Sequence, residues 1–130
     1  MATVTVTVAS SLDVGRARRA ARTLAVEIGF TLVDVETIAL ATSELVTNLV
    51  RYAKGGAIHL ASISETGRSG LRLEGHDLGP GIDDTAVAVQ DGLSTGGGPG
   101  GVRRLMDGLQ LSSSPAGTHI TAYKYLYRAA

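Results

Sequence analysis

The chain has 130 residues, 44% hydrophobic and 18% charged, a balance that fits one packed domain and excludes a disordered segment. Twelve basic side chains match twelve acidic ones, so no global field draws the chain to nucleic acid or to anionic lipid. Cysteine is absent, which excludes disulfides and thiolate metal centres, and no apolar run approaches the roughly 20 residues that span a bilayer. With no basic leader ahead of its first strand, the chain reads as a cytoplasmic protein.

Residues 3–9 alternate Thr and Val, which places Val4, Val6 and Val8 on one face of a half-buried strand. Ser10 and Ser11 offer a helix N-cap with Asp13 close behind. Val14, Ala17, Ala21, Leu24, Ala25 and Ile28 then recur at helical spacing up to Gly29, a natural stop. Arg16, Arg18, Arg19 and Arg22 fall on the opposite face, either a solvated surface or a docking face for an acidic partner. A second helix is expected from between Thr31 and Asp34 to about Lys54, with Ile38, Leu45, Leu49 and Tyr52 along its apolar stripe.

Strands near 57–64 and 70–77, joined by ETGRSG, read as a hairpin. DLGPGIDD leads from there to a short helix near 84–91. Residues 92–101, GLSTGGGPGG, are too rich in glycine for a regular element and read as a loop. A helix over about 102–107 and strands near 109–113 and 117–127 close the chain. This order predicts a single domain, a two-layer α/β sandwich of the α+β kind with its helices mostly on one face of the sheet.

Three groups of residues carry chemistry. In ATSELVTNLVRYAK, Glu44 and Asn48 stack one helical turn apart, with Arg51 extending the row. An amide oxygen suits Mg²⁺, which keeps most of its waters and takes few protein ligands, and the carboxylate beside it stays available as a proton acceptor. The plain alternative is a polar pair on an amphipathic helix. In LRLEGHD, period two puts Asp77 in phase with Leu71 and Leu73, so a carboxylate enters the core side, where it needs donors such as an adenine amino group. Gly79 and Gly81 clear space for a planar ring there; an ordinary Asx-turn is the competing reading. The third group is Gly98, Gly100 and Gly101, whose amides precede a helix start and suit a phosphate, although the segment fits neither the P-loop nor the dinucleotide fingerprint. Thr118 is in phase with Ile120 and Ala122, so its hydroxyl points inward toward the same region or simply starts a strand.

Taken in order, a helix with E-x-x-x-N, a strand ending in D-x-G-x-G, a glycine-rich lid, a helix and a strand opening on G-T resemble the GHKL ATPases over nearly the whole chain. Within them, SELVTNLVRYA, DLGPGIDD, DGLSTGG and GVRRLMDGLQLSS…GTHITAYKYL are similar to the RsbT-type switch kinases of bacterial stressosomes and, more distantly, to anti-sigma-factor serine kinases. The resemblance implies a Bergerat fold with a mixed, mostly antiparallel sheet, and ATP with Mg²⁺ as cofactors. It implies Glu44 as general base, Asn48 as the Mg²⁺ ligand and Asp77 on the adenine amino group. Gly79 and Gly81 would shape that pocket, Gly98, Gly100 and Gly101 would lie in the lid, Thr118 would sit near adenine, and Arg51 would contact phosphate. It further implies a serine/threonine kinase acting on STAS-domain scaffold or antagonist proteins, and then binding a PP2C-type phosphatase.

One departure stands out: GGGPGG replaces a longer lid with a G-L-G-x-G-L core. A short lid bears on γ-phosphate closure more than on adenine recognition, so a catalytically weak, nucleotide-gated binding module (a pseudokinase or anti-sigma-like regulator) stands as the alternative. Tyr123, Tyr125 and Tyr127 alternate along the last strand and offer a face for a second copy. His59, His76 and His119 lie on separate predicted strands, and no metal-ligand spacing links them.

Overall fold

The computed structural model describes residues 3–52, 55–65, 67–77, 102, 104–114 and 117–126. Alternation makes β1 (Thr3–Val8), with Val6 and Val8 buried and the threonines outward. The start of α1 (Asp13–Ile28) differs from the serine cap expected. Leu12 occupies the N-cap without a side-chain bond, and Asp13 does the work by reaching back. Its Oδ2 accepts the N–H groups of Ala9 (2.7 Å) and Ser10 (3.1 Å), which form the returning half of a capping box and hold the carboxyl below its usual pKa.

Gly29 (φ 109°) ends α1 as expected, and the Phe30 N–H returns to the Ala25 carbonyl. Thr31 opens α2 (Leu32–Tyr52), its Oγ1 accepting the Asp34 N–H at 3.2 Å. Three of the four arginines on α1 are engaged within the chain. Arg16 binds Asp13 and the Thr7 carbonyl, Arg18 binds Ser43, and Arg22 binds Glu36 in a two-toothed pair that ties α1 to α2.

β2 (Gly56–Glu65), β3 (Arg68–His76), β4 (Gly108–Ser114) and β5 (Gly117–Tyr125) complete a five-stranded sheet in the order β1-β2-β3-β5-β4. Every described pairing is antiparallel, which narrows the mixed sheet expected. The last strand enters between β3 and β4, so β5 and not β4 borders the strand that ends at Asp77. One sheet face presents Val6, Val8, Ile58, Leu60, Leu71, Leu73, Ile120 and Ala122 to Ala17, Ala21, Leu24, Ile38, Leu45 and Leu49 of the two helices, forming the core. Val102 and Met106 join it from a helical turn closed by the Met106 N–H on the Val102 carbonyl, at the place expected for the helix after the glycines. On the outer face Tyr123 and Tyr125 are half-buried, with the Arg68 guanidinium 3.9 Å from the centre of the Tyr125 ring; Tyr127 and the short helix expected near 84–91 lie outside the described residues.

Gly75 sets the distance between the layers. A Cβ there would lie 2.9–3.1 Å from the fully buried Leu45 side chain, so the missing methyl is what lets α2 rest on β3. Gly75→Ala is expected to cost about 1–3 kcal/mol through overpacking. Leu45→Ala should cost about 2–5 kcal/mol through the cavity it leaves. Because alanine at 45 vacates the space a Cβ at 75 would fill, the double variant should lose less than the two losses together. Urea unfolding of the four proteins measures this, and strict additivity would show that the two residues do not set the spacing.

Candidate functional site

Continuing the phase of Leu71, Leu73 and Gly75, β3 delivers Asp77 to the core side, where it is 4% exposed. Its N–H donates to the Thr118 carbonyl (3.1 Å) and its Oδ2 accepts the Thr118 N–H (3.1 Å), which extends the β3–β5 ladder by one residue. Thr118 is itself 3% exposed. The two residues expected near one another are therefore direct neighbours. Gly117 makes the approach feasible, since a Cβ there would run into the Asp77 carbonyl oxygen. A carboxylate offers about four acceptor positions, so one held by a backbone N–H can also receive a ligand's N–H.

Helix α2 supplies the other half. Asn48 is 3% exposed, and neither its Oδ1 nor its Nδ2 has a hydrogen-bond partner among the described residues. Leaving a buried polar group unsatisfied costs about 1–3 kcal/mol, so a fold that keeps one has a use for it. Glu44, one turn earlier, is half-buried; burial pushes its carboxyl above the usual range, and the positive charge of Arg104 pulls it partly back. Arg51 is exposed in the last turn of α2.

Helix and strand meet at one end of the molecule. Leu45 lies on Gly75, and Gly56, just beyond α2, presses against the backbone of His76 and Asp77. The Glu44–Asn48 turn thus lies over the strand that ends in Asp77. Gly79, Gly81, Gly98, Gly100 and Gly101 fall outside the described residues. The reading of single motifs overlooked Arg104. It sits exposed in the turn that Val102 and Met106 anchor in the core, and the four-residue spacing of those two was the available signal that the position midway between them faces outward.

The donor set fits Mg²⁺ and a nucleotide: an orphaned, buried amide oxygen is a ready ligand for a hard cation, and an anchored inward acid is a ready acceptor for an adenine amino group. Residues 7–124 match the model of the histidine kinase-like ATPase domain. The chain belongs to that family. It is 42% identical over 119 residues to the serine/threonine-protein kinase RsbT of Bacillus subtilis, covering 88% of this chain and 90% of that protein, and this likeness places it among the kinases of the family. Among solved structures it resembles the RsbU and RsbW domains of Rv1364c from Mycobacterium tuberculosis, with a TM-score of 0.68 and 21% identity, over all of this chain and 34% of that longer one. It also resembles the SiaB–SiaC complex of Pseudomonas aeruginosa, with a TM-score of 0.54 and 13% identity over 97% of this chain and 90% of that one. These two likenesses speak for the fold alone. Among the described residues no helix is long and apolar enough to cross a membrane.

Asn48→Leu tests the orphaned amide. Replacing an unsatisfied polar group by an apolar one of similar shape should stabilise the nucleotide-free protein by about 1–3 kcal/mol, seen as a higher melting temperature. The same variant should lose the Mg²⁺-dependent part of its ATP affinity. A lower melting temperature would mean that the amide is satisfied within the fold.

Proposed function

We propose that this chain, as one domain, is an ATP-dependent protein serine/threonine kinase that works as a cytoplasmic signalling switch. In this reading it phosphorylates a STAS-domain scaffold or antagonist protein and then binds a PP2C-type phosphatase. The observation that carries the reading is the buried Asn48 amide, without a partner among the described residues, one turn from a half-buried carboxylate of raised pKa, above a strand that leads to an anchored acid. The likeness to RsbT supports the kinase class and the choice of protein partners.

Asp77 and Thr118 orient adenine through the carboxylate, and this register fixes where the triphosphate runs. Asn48 Oδ1 would hold Mg²⁺, whose chemistry is to draw phosphate oxygens together and offset their charge. Glu44 takes the proton of the attacking serine or threonine hydroxyl as the oxygen bonds to the γ-phosphorus and the bond to the ADP leaving oxygen breaks. Phosphoryl transfer depends mainly on positioning and charge, so Arg51 and the glycines 98, 100 and 101 serve by fixing the phosphates. The short GGGPGG segment favours a second reading, a nucleotide-gated binding module without useful turnover. Binding of ATP without transfer of its γ-phosphate to a STAS-domain protein would decide for that reading.

In the transfer assay, Glu44→Ala should lower the rate by about 10²–10⁴-fold with ATP affinity nearly intact. An unchanged rate removes Glu44 from the role. The acid limb should lie above the ordinary carboxylate range, because burial favours the protonated form and only the ionised form accepts a proton. Arg104→Gln removes the charge that favours ionisation, so its acid limb should move to still higher pH; a limb that stays in place would show that Arg104 does not tune this carboxylate.

A further inference from the structure

Between the glycine-rich residues 92–101 and β4 the chain makes one helical turn, from Val102 to Met106, and three hydrogen bonds tie that turn to β5. The Asp107 N–H donates to the Tyr123 carbonyl at 2.8 Å. Its Oδ2 accepts the Tyr125 N–H, also at 2.8 Å. Lys124, paired with the core residue Leu71, donates from Nζ to the Leu105 carbonyl at 3.3 Å. The register explains the side-chain bond. β4 pairs with β5 only from Gly108, opposite Tyr123, so Tyr125 lies two residues past the ladder and finds no β4 carbonyl for its N–H. A strand donor without a ladder partner needs another acceptor, and the short, charged side chain of Asp107 supplies it. Arg104 is carried on the turn so fixed, and its charge acts on the Glu44 carboxyl of α2.

We propose that Asp107 is a positioning residue for Glu44: by closing this clamp it holds the Arg104 guanidinium within electrostatic reach of the Glu44 carboxylate. With Glu44 read as the base of the proposed transfer, Asp107 sets how readily that base ionises, a role that rests on that reading. Burial favours the protonated carboxyl, and the Arg104 charge opposes burial. The charged side chains of the neighbouring elements, Arg18 on α1, Arg51 further along α2, Asp77 beyond β3 and Lys124 on β5, do not enter that balance. A Coulomb interaction weakens with distance and with exposure to solvent, so a cation on a short exposed turn acts on a carboxylate of another element only if the turn is held. Positioning and charge predict opposite signs. Were Asp107 to act through its own negative charge, removing it would lower the proton affinity of Glu44. Loss of the clamp lets Arg104 move away and raises it.

Carbon NMR titration of the Glu44 side-chain carboxyl, in the full chain without nucleotide, tests this. Arg104→Gln should move the midpoint to higher pH. Asp107→Ala should move it the same way by a smaller amount, since Arg104 keeps its charge but loses its hold. Asp107→Asn, whose amide oxygen still accepts the Tyr125 N–H, should titrate like the wild type. On the Arg104→Gln background, Asp107→Ala should add no further shift. Asp107 is exposed, so alanine there leaves no cavity and melting curves should show folded variants. An unchanged or lowered midpoint in Asp107→Ala, the same shift in Asp107→Asn, or an equal shift with and without Arg104 overturns the proposal. The titration needs neither ATP nor turnover, so its outcome is independent of whether Glu44→Ala slows transfer.

Discussion

Asn48 places a side-chain amide in the core with no hydrogen-bond partner among the described residues. The contrast with its own helix is direct. Thr42, Ser43 and Thr47 each return their hydroxyl to the carbonyl four residues back, at 2.8–3.0 Å, so the polar character of this stretch is neutralised locally. Asn48 alone among the buried residues of the helix leaves both polar atoms without a partner among the described residues. On either side of it the backbone comes close to the sheet, where Leu45 lies on Gly75 and where Gly55 and Gly56 approach the backbone of Val8 and His76.

The opposite wall of the site has the reverse character. Asp77 is held before any ligand arrives, through its backbone and its carboxylate, by Thr118 of the neighbouring strand. In the proposed function these two ends divide the roles: the anchored acid selects a base by shape and donor position, and the buried amide gains most when charge and metal are supplied. Glu44 lies between these extremes. Its burial disfavours the ionised form and Arg104 opposes that, which leaves a carboxylate suited to accepting a proton rather than to holding a permanent charge. Its cation comes from the turn that Val102 and Met106 anchor, so this carboxylate is coupled electrostatically to that part of the chain.

What could be read from the residues follows the range of the physics involved. Alternation in β1, the stop at Gly29 and the inward phase of Asp77 are short-range effects, and each is visible within a few neighbouring positions. The stacking of Glu44 on Asn48 is likewise set by one turn of helix. That Asp13 rather than a serine secures the start of α1 was hidden because serine and aspartate side chains can both accept nearby backbone N–H groups, and the path of the incoming chain decides which are within reach. Long-range register was out of reach. The insertion of β5 between β3 and β4 and the Thr118–Asp77 pair both depend on which strand lies beside which. Arg104 belongs with them, since it meets Glu44 only after the core has placed Val102 and Met106.

We propose that the acid closing β3 receives the adenine amino group. Calorimetric ATP binding to the wild type and to Asp77→Asn, with and without Mg²⁺, measures it most directly. Asparagine can still accept the Thr118 N–H, so the fold should persist while ATP affinity falls by at least about tenfold both with and without the metal, the cost of losing a charge-assisted hydrogen bond in a buried site. Equal affinity in the two folded proteins would contradict the account.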